Sequence, residues 1–82
     1  MVNIFIPVYI VRVGTLHDNG HKDYEGYSRN LCCYYELNDA HEKIDRFRAK
    51  HGHPSEWVEV TQDCWYNLHA SLWVDIESYV LE

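Results

Sequence analysis

The chain has 82 residues, 46% of them apolar and 15% aromatic, with three Trp and seven Tyr. That length leaves room for one hydrophobic core, and the composition excludes a disordered chain. Thirteen Asp and Glu against seven Lys and Arg give a formal charge of −6, which argues against direct nucleic-acid binding or an anionic membrane surface as partner, since both select a basic patch.

The first segment, Ile4–Val13, reads as a strand that is apolar on both alternating faces. Ile4, Ile6, Val8 and Ile10 lie on one, and Phe5, Tyr9, Val11 and Val13 on the other. Such a strand needs cover on both sides. Pro7 has no N–H to give to a ladder, so Asn3–Pro7 is expected at an edge or a strand start. Asp18-Asn19-Gly20 is a hairpin turn signal, because Asn and Gly tolerate positive φ. The second strand then runs from about Tyr24 to Glu36, with Gly26 marking a bulge. Adjacent Cys32 and Cys33 are expected to point to opposite faces of it and make a poor pair for each other.

The stretch Leu37–Gly52 carries the strongest local pattern. Leu37, Ala40, Ile44 and Phe47 recur at helical spacing, Asp39 and Glu42 suggest a capping box, and Gly52 followed by Pro54 stops the helix. Asp39–Lys43 and Glu42–Arg46 are spaced for i,i+4 ion pairs. Beyond it, Trp57–Val60 reads as a short strand. Between Tyr66 and Ile76 every even residue is apolar, a strand pattern, yet Asn67, Ser71, Asp75 and Ser78 also form a stripe at helical spacing. Aromatic and β-branched enrichment favours a strand over Trp73–Leu81, with a turn near Leu68–Ser71, over a second helix starting at Asp63. The expected fold is therefore α+β: a single domain, residues 1–82, with a small antiparallel ββαββ-like sheet and one helix packed on one face.

The chemistry-bearing residues form no complete set. Six His raise the question of a metal, but there is no HExxH or CxxC spacing, and no metal or other cofactor is expected. His51 sits where a cation answers the helix C-terminal dipole. Cys64 lies in the Thr61–Cys64 turn and is expected to be the more exposed thiol; Cys32 and Cys33 have apolar neighbours that hold a thiol protonated. No glycine-rich phosphate loop is present. The N-terminal segment lacks a basic n-region, Arg12 interrupts its apolar run, and no apolar stretch reaches membrane-spanning length. A cytoplasmic protein with reduced thiols is expected, located in the host cell if the gene belongs to a phage.

These features point to a small acidic protein-binding or inhibitor module. It would block a surface of a larger protein, such as a basic nucleic-acid groove, in the manner of inhibitors encoded by phages and mobile elements. The expected binding residues are Trp57, Glu59, Trp73, Asp75 and Glu77 on the C-terminal strands, combining charge with aromatic anchors. Trp73, Asp75 and Glu77 share one strand face, opposite Leu72, Val74 and Ile76. The two-sided first strand adds the expectation of a homodimer or a tight complex. Two alternatives remain: a small metal-dependent or hydrolytic enzyme using His17, His21 and nearby Asp18 and Asp23, and an obligate homo-oligomeric structural module.

Overall fold

The Asp18-Asn19-Gly20 turn closes a long hairpin. In the computed structural model, which describes residues 5–81, β1 (Ile6–Leu16) returns as β2 (Lys22–Tyr34). Gly20 takes φ +84° and donates its N–H to the His17 carbonyl, while the Asn19 side chain accepts from the His21 N–H. The chain continues into α1 (Leu37–Lys50), a 3-10 turn at Pro54–Glu56, β3 (Trp57–Thr61), β4 (Cys64–Asn67) and β5 (Leu72–Leu81). All strand pairs are antiparallel, in the order β2-β1-β5-β4-β3. The fold is α+β, one helix against a five-stranded sheet.

The hairpin is irregular where Gly26 signals it. Between the pairs Gly14↔Ser28 and Thr15↔Asp23, residues 24–27 of β2 have no counterpart in β1. The Asp23 carboxylate accepts the Glu25 and Gly26 N–H groups and holds this bulge in shape. Pro7 falls where β1 has passed the end of β2, opposite Val80 of β5, so its missing donor costs no β1–β2 bond. The expected start of the first strand at Ile4, and the edge position of Asn3, lie outside the described residues.

Residues opposite each other in a ladder share a sheet face, and the register therefore sorts the side chains. Val11, Val13, Val74 and Trp57 face the helix and close the core with Ala40 and Ile44. Ala40 and Ile44 are the buried residues of the helix, with Phe47 half-buried against them, and Leu37 is half-buried outside this cluster. The Trp57 indole N–H donates to the Arg48 carbonyl at 3.0 Å, and Arg48 stacks over the Trp65 ring at 3.7 Å. Buried Asn67 donates to the His51 carbonyl and accepts the Ala70 N–H. Gly52 takes φ +131°, and a Cβ there would stand 2.5 Å from the Asn67 amide nitrogen. The position tolerates only glycine for both reasons.

Two local expectations are corrected. The helix starts directly after β2 with Glu36 as N-cap and no side-chain cap bond, which places Asp39 inside the first turn, where its charge answers the helix dipole instead of capping. The capping box belongs to the next turn: His53 accepts from the Ser55 N–H, and Glu56 accepts the His53 N–H at 2.6 Å. On the helix surface, the described ion pair is Asp45–Arg48 at 3.0 Å, not Asp39–Lys43 or Glu42–Arg46. The region from Asp63 is a strand hairpin and not a helix. Asp63 (φ 59°) and Ser71 (φ 57°) turn the chain at either end of β4 in the left-handed region.

Candidate functional site

The sheet face opposite the helix holds two neighbouring features, a buried ion cluster and an open apolar groove. The cluster grows out of the β1–β5 register. Arg12 stands opposite Asp75 and Gly14 opposite Trp73. A Cβ on Gly14 would lie 2.6 Å from the Trp73 indole, so the ring rests flat on bare backbone. Asp75 accepts from Arg12 Nε at 2.9 Å, Arg12 Nη2 at 2.7 Å and Lys22 Nζ at 2.5 Å, and Arg12 Nη1 reaches Glu77 at 2.8 Å. Lys22 Nζ also lies 4.5 Å from the Trp73 ring centroid, and the Tyr24 ring packs at 5.9 Å, tilted. The β2 bulge thus folds over the end of the face that one helix cannot cover.

The charge balance of the cluster is closed. The Asp75 hydrogen bond raises the Arg12 pKa above its already high ordinary value, against the pull of burial. For Lys22, burial pushes down, but the hydrogen bond and charge of Asp75 outweigh it and the net shift is upward. Both cations stay charged, matched by Asp75 and Glu77. The Trp73 indole N–H is buried without a partner among the described residues.

This geometry corrects the expected binding surface. The alternation holds: Trp73, Asp75 and Glu77 share the helix-free face, and Val74 enters the core. Exposure does not follow from it. Trp73 is 1% exposed and Asp75 5%, because Gly14, Arg12, Lys22 and Tyr24 enclose them. Trp57, also 5% exposed, belongs to the helix-side core. Glu59 is exposed but opposes Trp65, which opposes Val74, and so stands on the helix side. β3 pairs with β4 and not with β5, and the register puts Glu59 and the Asp75–Glu77 pair on opposite faces. Of the five residues, only Glu59 is exposed; Glu77 is half-buried and paired with Arg12, on the opposite side of the sheet.

The apolar groove lies beside the cluster. Val58 opposes Tyr66, which opposes Trp73, so the helix-free side of β3 and β4 carries an exposed valine beside a half-buried tyrosine. Val58, Val60, Tyr66 and Leu68 line a concavity of about 560 Å³, bounded by Gly20, Asn19, Glu56 and His69. Val58 is 60% exposed and Leu68 67%. His69 Nε2 lies 3.5 Å from Glu56 at the rim. Among the described residues no Lys or Arg lines it. Burial raises the Tyr66 pKa, so its hydroxyl stays protonated as a donor at neutral pH. The sequence signal for this groove is the turn at residues 68–71. It switches the parity of exposure, sending Tyr66 to the helix-free face and Leu72, Val74 and Ile76 to the other.

His17 and His21 bracket the first turn, where the His17 N–H donates to the His21 carbonyl and His17 Nε2 lies 3.4 Å from Asp23. Among the described residues no three His, Cys, Asp or Glu side chains converge as a metal site would require. The thiols are ordered opposite to expectation: Cys64 is buried and Cys33 exposed. Cys64 begins an interior strand opposite Asp75, whereas β2 is an edge strand. His41 Nε2 meets Asp63 at 2.8 Å and ties the helix to the β3–β4 turn. Among the described residues no helix is long and apolar enough to cross a membrane.

No protein-family model matches the chain, and no curated protein or solved structure shows significant similarity to it.

Proposed function

We propose that this chain is a small acidic protein-binding module, acting without catalysis, that blocks a surface of a larger protein. The groove of Val58, Val60, Tyr66 and Leu68 is its docking surface. The observation that carries the reading is the pairing of large exposed apolar side chains with a concave, polar-rimmed shape. Apolar surface left open in this form on a small protein serves contact with a partner. Tyr66 adds a rigid ring with a hydrogen-bonding tip, the type of anchor that dominates interface energies.

Charge supports the choice of partner. The rim presents Glu56 and no Lys or Arg, Asp18 is exposed in the adjoining turn, and the whole chain carries −6. The complementary surface is an apolar projection set among basic groups, as on a protein that handles nucleic acid. The test is to capture the partner from the source cell and measure its association rate at low and high salt. A basic partner whose on-rate falls steeply with salt fits the proposal, since steering is screened beyond roughly 10 Å at 0.1 M. A partner with a salt-independent on-rate removes the acidic component.

A further inference from the structure

The helix side of the molecule reverses the charge of the chain at one place. Between the C-terminal half of α1 and β2 lies a groove of about 280 Å³ into which Arg29, Lys43, Arg46 and Lys50 converge. Its apolar lining is Leu31 and Phe47, with the Phe47 ring 4.3 Å from the His51 imidazole. Four of the seven cations of the chain meet here, and among the described residues no Asp or Glu lines the groove. None of the four has a carboxylate within 4.0 Å among the described residues, whereas Arg12, Lys22 and Arg48 all do.

A basic last turn on a helix often does no more than answer the helix dipole. Lys50 fits that role. Arg29 comes from a different element, and Lys43 lies two turns earlier, so the dipole accounts for neither. Like charges brought together repel, and this acidic chain places no carboxylate among them to offset the cost. An anion seated in the groove supplies the missing charge.

We propose that the α1–β2 groove binds a small organic phosphate, with the phosphate on Arg29, Lys43, Arg46 and Lys50 and a flat apolar group against Leu31 and Phe47. Arginine forks and lysine ammonium groups are the side chains that hold phosphate oxygens. The volume lies just below the usual range of ligand pockets, which limits the occupant to a small molecule held partly in the open. The remaining acidic surface repels a long polyanion. The groove lies on the helix side of the sheet, away from Val58 and Leu68, and the proposal stands independently of the protein-binding reading.

The test is a titration of the isotope-labelled full chain, followed by amide resonances, with three probes: adenosine diphosphate, inorganic pyrophosphate and adenosine. Adenosine diphosphate is expected to move the resonances of residues 29–31 and 43–51 saturably, and to bind roughly tenfold tighter than pyrophosphate or adenosine. The variant Lys43→Gln with Arg46→Gln should weaken binding at least about tenfold, with the remaining spectrum unchanged because Arg46 is exposed and Lys43 only half-buried. Phe47→Leu should bring adenosine diphosphate down to the level of pyrophosphate. The proposal is overturned if adenosine diphosphate produces no saturable shift, if the double variant binds as well as the parent, or if pyrophosphate binds equally well to the parent chain.

Discussion

Asp75 is the residue on which most of the helix-free face depends. Its carboxylate accepts three charge-assisted hydrogen bonds from Arg12 and Lys22, while both cations lie against the Trp73 ring. Asp75→Asn leaves two neighbouring cations without their shared counter-charge. It should destabilise the fold by about 3 kcal/mol, the lower end for breaking a buried pair because Arg12 keeps some contact with water; urea unfolding measures it. Lys22 gives the pH dependence. Folding raises its pKa above the ordinary 10.5, so its stabilisation is complete below that pH and is lost as pH climbs past the raised value. The stability gap between the parent and Lys22→Met is therefore expected to stay constant from about pH 6 to about pH 9 and to narrow above about pH 10.5. A gap that narrows toward acid pH instead would contradict the assignment. The thiols offer an independent check on burial: Cys33 should react rapidly with a thiol reagent in the native protein, and Cys64 only after denaturant is added.

At the scale of the elements, the helix is held by its inner stripe and not by surface ion pairs. Ile44 is buried against Val11, Val13 and Val74, so Ile44→Ala should cost about 2–5 kcal/mol, measured by thermal or urea unfolding. Glu42→Ala, on the exposed side, should cost under about 0.5 kcal/mol. Phe47→Ala should fall below Ile44→Ala, because its ring is only half-buried. Equal losses at Ile44 and Glu42 would mean that the helix sits in a different rotation. The helix and first hairpin were legible because their signals are local: the spacing of Leu37, Ala40 and Ile44, and the Asn19-Gly20 turn. The β4–β5 hairpin was harder to read, because its turns place Asp63 and Ser71 in the left-handed region with no glycine or proline to announce them. Without the turn at Ser71, the even-numbered apolar residues from Tyr66 to Ile76 look like one continuous strand face. The burial of Trp73 was not legible either. It depends on Gly14 and on the Lys22–Tyr24 part of the bulge, far away in sequence.

Across the whole molecule, charge and apolar surface are divided between the two sides of the sheet. The helix side carries the unpaired cations of the α1–β2 groove, and the opposite side carries a neutralised ion cluster next to an apolar, acid-rimmed concavity. The bulge of β2 covers one end of the helix-free face, while the β3–β4 end stays open. The proposed docking surface is therefore the open end, with Val58 and Leu68 in place of Trp57 and Trp73. The most direct measurement is the affinity of the captured partner protein for Val58→Asp combined with Leu68→Asp, beside Lys43→Gln combined with Arg46→Gln. Both pairs contain only surface or near-surface side chains, so unfolding midpoints should stay close to that of the parent. If the β3–β4 groove is the docking surface, the first pair loses at least about 2 kcal/mol of binding energy and the second binds like the parent. Parent-like affinity in the Val58 and Leu68 variant would contradict it.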